Sequence, residues 1–524
     1  MGFDPRSILT HDGPIARRLG SVYEHRPQQD HMIQAVQHAL ANGSKCIVEA
    51  GTGVGKSFAY LLPALKQVFD DRRQGAGLRR RIVVSTHTIA LQEQLILKDI
   101  PLLQAVLPDE FSAVLVKGRG NYLSRRRLRR AIQRASQLFV DESAIQSLEL
   151  IESWAENSHD GSLATLPQLP HPGAWNDVQS DKEDCLGRRC PTYDRCFYQA
   201  ARRRMEHADL LIVNHALFFA DLALRSDGFG ILPAYDHVIL DEAHTVEDVA
   251  SEHFGLSISR FQIHMLLSRL YQPRSNKGVL PGLLRTAGRQ VVQRAMKLID
   301  EVADQMETFF NQVVQWQENK GRSNGRIDQP LPIENKLSPV LDNLSLAIKL
   351  VRDDLDKKYA DDRLELESYA NRATALARTL SNLLEQKLSD AVYWVSVTPT
   401  RRHARVKLSA APIEVGPMLK NHLFEANNQD GDPVGAVLTS ATLATSANRA
   451  QDQSDSFDRD SDNRFAHIKA RLGCADAETL LLGSPFDYRH QAQLIVEPNL
   501  PDPNSADHFD KLCPCLLKHI DRSD

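Results

Sequence analysis

Long apolar runs are missing from this chain. None of its 524 residues lie in a stretch approaching the roughly 20 apolar positions that a membrane-spanning helix needs, and the opening MGFDPRSILT lacks the apolar core of a secretory signal. A dominant charge is missing too: 63 basic against 67 acidic residues leave a net −4, so any nucleic-acid surface must be a local patch. Cysteine is scarce, with seven residues of which three are clustered, which excludes a disulfide framework and suits metal binding in a reducing compartment. What remains is a large protein expected in the cytoplasm, without a membrane partner. Its 42% hydrophobic content can fill several cores, about three at the usual domain size.

Three short strings stand out in a fixed order: AGTGVGKS at residues 50–57, DEAH at 241–244 and TSATL at 439–443. The first is a phosphate-binding loop, preceded by a short strand-like run at 46–49 and followed by apolar residues at helical spacing from Phe58 to Phe69. Strand, Gly-rich turn and helix start aim backbone N–H groups at a polyphosphate. Gly51, Thr52, Gly53 and Gly55 form the turn, Lys56 reaches the terminal phosphates and the Ser57 hydroxyl holds Mg²⁺. DEAH follows the apolar run Val238, Ile239, Leu240, so its carboxylates emerge at the carboxyl end of a strand. There Asp241 suits Mg²⁺, and Glu242 suits the orienting or deprotonation of an attacking water. Lys56, Asp241 and Glu242 are the expected catalytic set, with ATP and Mg²⁺ as cofactors.

This order resembles superfamily 2 helicases, and the text between the strings resembles the DinG-like branch, the bacterial relatives of the XPD iron–sulfur helicases. The resemblance runs from about Tyr23 to Pro503. It rests on YEHRPQQ at 23–29, STHTIALQEQL at 85–95, KGRGNYL at 117–123, VNHAL at 213–217 and SPFDY at 484–488. It implies an ATP-dependent DNA helicase moving 5′ to 3′ on single-stranded DNA, acting in repair or replication on single strands or tailed and forked duplexes; the oligomeric state is left open, with a monomer favoured. By the same resemblance Arg26 and Gln29 read the adenine. Thr86, Thr88, Gln92, Asn214 and His215 contact the strand or support that contact, and His244, Ser440 and Thr442 link nucleotide state to DNA grip.

The expected fold is α/β: a RecA-like parallel sheet interrupted by two insertions. Residues 1–116 open the sheet domain, with strand candidates at 82–85 and 113–116. A basic insertion with the cysteine cluster occupies 117–204, and 205–245 carries the DEAH strand. From 246 to 395 the pattern is helical, with one long amphipathic helix over about 291–314 and a second stretch over about 337–388, broken by a Gly/Asn/Pro-rich segment at 319–332. The resemblance makes this an Arch-like domain; periodicity alone fits a helical hairpin packed on the core equally well. Residues 396–445 return to the sheet, 446–464 form a polar loop, and 465–524 begin a second RecA-like lobe. Family members continue through that lobe to a Gln-x-x-Gly-Arg-x-Ile-Arg motif that this sequence does not contain. The expectation is an incomplete lobe that binds ATP, hydrolyses it weakly and does not unwind duplexes unaided. That leaves an alternative function, an ATP-gated single-strand binding module.

The spacing of Cys185, Cys190 and Cys196 matches the last three ligands of the family's [4Fe–4S] cluster, and Ser124 stands where the family has its first. Three readings remain open: an iron–sulfur site completed by serine or water, a Zn²⁺ site completed by Asp184 or a histidine, or three unligated thiols. The same insertion is dense in cations. Lys117, Arg119, Arg125, Arg126, Arg127, Arg129, Arg130 and Arg134, with Arg188, Arg189, Arg195, Arg202, Arg203 and Arg204, form the expected phosphate-binding surface, led by Arg125 and Arg126. Tyr122, Tyr193, Phe197 and Tyr198 are the expected base-stacking residues. A solvated basic helix without a ligand is the competing reading.

Overall fold

The computed structural model describes residues 3–73, 80–135, 142–226, 229–399, 404–445, 463–486, 488–491 and 493–520. Eleven strands fall in them: β1 (Lys45–Ala50), β2 (Ile82–Thr86), β3 (Ala113–Leu115), β4 (Leu210–Asn214), β5 (His237–Asp241), β6 (Leu256–Ser259), β7 (Arg326–Ile327), β8 (Ala391–Thr398), β9 (Arg405–Pro412), β10 (Gly435–Ser440) and β11 (Glu478–Leu482). Seven make one sheet in the order β11-β1-β10-β5-β2-β4-β3, parallel at every pair. Such a sheet is covered on both faces, which is why β2, β5 and β10 are buried along their whole length.

Alternation along each strand sorts side chains between two cores. Cys46, Val48, Val84, Ile239 and Val437 pack against Met32, Ile33 and Val36 of the Pro27–Asn42 helix and Leu61, Leu62 and Leu65 of the Lys56–Arg73 helix. Ile47, Val83, Val238, Leu240 and Leu438 face the other way, onto Phe218, Phe219, Leu222, Val246 and Ala250.

The first insertion has its own small core of Tyr122, Leu123, Leu128, Leu148, Ile151, Trp175, Phe197 and Tyr198. The second is built on the helices Arg289–Lys320, Leu337–Asp354 and Ala360–Leu384; the stretch expected to run helical over 337–388 is divided at 355–359. Ala370, Ala373 and Ala377 keep one helix face small, so the Leu337–Asp354 helix packs closely, with the buried hydroxyls of Ser345 and Ser338 donating to the carbonyls of Ala370 at 2.9 Å and Ala377 at 3.0 Å.

Three expected boundaries move. The helical insertion is not all helix, because β6-β9-β8-β7 form an antiparallel sheet against it, and it runs past 395 to Pro412. The chain rejoins the parallel sheet at Gly435, the start of β10. The segment expected to open a second lobe at 465 instead completes the first: Phe465, Leu472, Cys474 and Ala477 join its core, and β11 pairs with β1 as the edge strand. Local pattern could not reveal this, since partner choice for a five-residue strand is a tertiary matter. Residues 446–462 of the expected polar loop lie outside the described residues, as does Asp487. No helix among the described residues is long and apolar enough to cross a membrane.

Candidate functional site: a phosphate loop facing paired carboxylates

β1 ends at Ala50, the chain turns through residues 51–55, and the Lys56–Arg73 helix begins. Gly53 and Gly55 sit at φ +86° and +82°, where a side chain is strained, and a Cβ on Gly55 would lie 2.2 Å from Gln29 Nε2. The closeness is functional packing. Gln29 Nε2 donates to the Gly55 carbonyl at 3.2 Å, and the Arg26 guanidinium donates to the Gly53 carbonyl. Gln29 Oε1 is buried with no hydrogen-bond partner, an acceptor lacking the kind of donor that an adenine amino group supplies. Lys56 Nζ folds back to the Ala50 carbonyl at 3.3 Å, around the hollow of the loop, while Thr52 is exposed at its tip. The Ser57 hydroxyl bonds to Asp99, a buried carboxylate from the 95–99 turn that the sequence offered no motif to find.

Asp241 closes the buried strand β5 and is itself only 5% exposed. It accepts a hydrogen bond from Tyr60 Oη at 3.2 Å. Burial, reinforced by the neighbouring Glu242 charge and opposed by Lys56, raises its pKa to about 6. Glu242 holds φ +57°, unusual for a residue with a Cβ. Its carboxylate accepts from Ser440 Oγ at 3.3 Å and lies 3.3 Å from His244 Nδ1, while His244 Nδ1 and Ser440 Oγ are 2.8 Å apart. The Thr442 amide points back to Ser440 Oγ at 3.5 Å. The residues expected to couple nucleotide to DNA therefore converge on the expected catalytic carboxylate.

The expected strand-contacting residues shape the loops at the same sheet edge. Thr86 and Gln92 are buried, and Thr86 Oγ1 donates to the Thr88 carbonyl at 3.4 Å. Thr88 is exposed and caps the Ile89–Gln94 helix by accepting from Leu91 N at 3.2 Å; Asn214 Oδ1 accepts from Leu217 N at 2.8 Å. His215 is buried, with Nδ1 2.7 Å from Ser85 Oγ, and burial lowers its pKa to about 4, so it is neutral at physiological pH. Thr88 is thus accessible to a strand, while Thr86 and Gln92 lie beneath the surface.

Residues 26–138 match the DEAD/DEAH box helicase family and residues 176–263 match DEAD_2. The ATP-dependent DNA helicase YoaA of Escherichia coli K12 is 31% identical over 518 residues, an alignment covering 97% of this chain and 71% of that protein. The chain belongs to the YoaA/DinG helicase family. The YoaA of Haemophilus influenzae is 29% identical over 520 residues, covering 98% of this chain and 72% of the relative. The solved XPD_Helicase structure aligns at 14% identity and a TM-score of 0.44, over 88% of this chain and 62% of that one.

In this helicase much of the basic insertion is used internally, which corrects the expected phosphate surface. Arg126 is buried and pairs with Asp184 and, at 3.1 Å, with Asp361 of the helical insertion. Arg130 reaches Asp362 at 2.9 Å and Glu365 at 2.7 Å, and Arg134 bonds to the same two carboxylates. Arg127 donates to the carbonyls of Asp177 and Asn176, both at 3.1 Å. Arg125 donates to the Ala155 carbonyl at 2.7 Å and lies over the Phe197 ring. Tyr122, Phe197 and Tyr198, expected to stack on bases, are core residues of the insertion. Exposed cations remain at Arg129, Arg188, Arg189, Arg195, Arg203 and Arg204, none with a carboxylate within ion-pair distance among the described residues. Asp361, Asp362 and Glu365 sit more than 200 residues away in sequence, so composition alone could not show which arginines were spoken for.

Cys185, Cys190 and Cys196 are free and half-buried. Among the described residues their sulfurs do not lie close enough together to share a single metal ion, although a four-iron cluster distributes its ligands over separate irons. The fourth-ligand candidates are committed elsewhere: Ser124 Oγ caps the Arg125–Gln133 helix by accepting from Arg127 N at 3.4 Å, and Asp184 pairs with Arg126. The donor set is three thiols, one short of a closed four-ligand site.

The raised Asp241 pKa has a measurable consequence. If Asp241 holds Mg²⁺ as expected from the sequence, the cation competes with a proton below about pH 6, so Mg²⁺ affinity measured with bound ATP analogue is expected to be level above pH 7 and to weaken by about tenfold per unit as pH falls below that pKa. Asp241→Asn should remove the pH-dependence along with most of the affinity.

Proposed function

We propose that this chain, an ATP-dependent DNA helicase by family, binds Mg²⁺-ATP on the 51–57 loop and couples its hydrolysis to 5′-to-3′ movement on single-stranded DNA. Arg26 and Gln29 hold the adenine, and the amides of Gly51, Thr52, Gly53 and Gly55 receive the phosphates. Lys56 exchanges the Ala50 carbonyl for the terminal phosphates, and Ser57 and Asp241 hold Mg²⁺. Glu242 accepts a proton from the attacking water as its oxygen bonds to the γ-phosphorus and the bond to the β-phosphate oxygen breaks, leaving ADP and phosphate. The observation that carries this reading is the contact of Glu242 with His244 and Ser440 at the mouth of the phosphate loop. Through it, protonation of Glu242 or arrival of the γ-phosphate reaches the TSATL segment directly. Lys56→Ala is expected to abolish nucleotide binding by calorimetry, and Glu242→Gln to keep binding while lowering hydrolysis by at least about a hundredfold. Wild-type affinity in Lys56→Ala would overturn the assignment.

Single-stranded DNA, or the tail of a forked duplex, is proposed to meet the exposed arginines beside the cysteine loop, together with Thr88 and Asn214. Six exposed cations within residues 117–204 give binding that falls steeply with salt and disregards sequence. Arg188→Ala, Arg189→Ala and Arg195→Ala in combination should flatten the slope of log affinity against log salt by about two units, since each single-strand phosphate contact contributes about 0.7. Removing Arg126 and Arg127 should instead lower thermal stability.

The three clustered thiols are proposed to hold iron as a partly protein-ligated cluster, to which no step of the hydrolytic cycle is assigned. Ser124→Cys supplies the missing thiol at the cost of a helix cap, about 1 kcal/mol. Anaerobically purified Ser124→Cys protein should carry more iron than wild type and lose it more slowly in air. Equal iron in both would remove position 124 from the site, and stoichiometric zinc in colourless protein would decide for zinc.

A further inference from the structure

Glu49, immediately before the phosphate loop, is a charged residue in a strand paired on both sides, and the hydrolytic reaction as described has no use for it. Its register explains where it points. Asp241 lies opposite Thr439 and Glu49 opposite Ser440, so one step past Asp241 the three adjacent strands β5, β10 and β1 bring Glu242, Ser440 and Glu49 into one row at the carboxyl edge. Beyond that row the chains part, β1 into the phosphate loop and β10 into the turn after Ser440. Glu49 bridges the gap: its Oε2 accepts the backbone N–H of Leu443 at 2.5 Å and of Ala444 at 2.6 Å. Successive amides converging on one anionic oxygen form a nest, and an ionised acceptor makes both bonds strong. The TSATL turn is therefore gripped from two sides, by Glu242 through the Ser440 hydroxyl and by Glu49 through the main chain.

We propose that Glu49 is a positioning residue that ties the TSATL turn to the strand feeding the phosphate loop, so that displacement of the loop by nucleotide is transmitted to the turn and on to the DNA-binding edge. The inference rests on the reading of the chain as an ATP-driven motor. It differs from a purely architectural role in what it predicts. A structural prop would, when removed, weaken ATP binding and stability together; a coupling strut leaves the phosphate loop able to bind and breaks the response to DNA.

The test uses the full chain with Glu49→Ala, Glu49→Gln, whose amide oxygen can still accept both N–H groups, and Ala444→Pro, which deletes one donor without touching β1. Three quantities are read: affinity for Mg²⁺-ATP without DNA, kcat and KM for ATP with and without single-stranded DNA, and hydrogen exchange at the Leu443 and Ala444 amides. Glu49→Ala is expected to bind ATP within about threefold of wild type and to lose about tenfold in DNA-stimulated kcat with little change in KM. Its two amides should lose their protection. Ala444→Pro should reproduce the kinetic loss, and Glu49→Gln should recover most of it. Undiminished stimulation in Glu49→Ala, or a loss matched by an equal loss of ATP affinity, overturns the proposal. A wild-type chain with no DNA-stimulated hydrolysis would instead overturn the motor reading, and the exchange data would still decide whether Glu49 holds the turn.

Discussion

A carboxylate at the end of a buried strand sets the terms for the rest of this structure. Asp241 is a carboxylate placed in surroundings that penalise its charge. The fold answers by bringing Tyr60 and Lys56 from the phosphate-loop helix onto the same point, which ties β5 to the Lys56–Arg73 helix across β10 and β1. Cores on both faces of the sheet keep β5 buried as far as Asp241. The wholly buried β2, β5 and β10 are what that cover looks like in sequence.

The edge next to Asp241 is built in the opposite style, from polar groups that hold one another. Glu242, His244 and Ser440 form one hydrogen-bonded set, and Glu49 holds the following turn by its main chain. A network of this kind can rearrange when one member gains or loses a charge, whereas the packed cores on either side of the sheet cannot deform gradually. The expected catalytic carboxylate and the TSATL turn thereby follow adjacent strands.

Elsewhere charge serves architecture. The apolar core of the cysteine-bearing insertion and that of the helical insertion are separate clusters, and the seam between them is closed by Arg126, Arg130 and Arg134 against Asp361, Asp362 and Glu365, with Arg269 against Asp177 and Arg372 against Asp181 and Glu183. Ion pairs fix orientation without the large apolar area that would fuse two units into one, and breaking one side strands a partly buried charge.

Sequence by itself determined the form of the phosphate loop and the place of the paired carboxylates. The glycine spacing at 51–55, Lys56, Ser57 and the paired carboxylates after an apolar run are local signals, because each depends on backbone geometry within a few residues. The parallel strands β1, β2, β3 and β5, as short apolar runs, and the long helix over 289–320, as a periodic pattern, were legible for the same reason, since neither signal needs a partner to be read. Tertiary structure alone decided the rest. It assigned β11 to the first sheet and β9 to the helical insertion, since short strands take their meaning from whichever edge is free. It turned Arg126, Arg130 and Arg134 from DNA ligands into structural pairs, because their carboxylates arrive from another part of the chain. And it gave Glu49 a partner nearly 400 residues away, through a register between β1 and β10 that no one-dimensional pattern encodes.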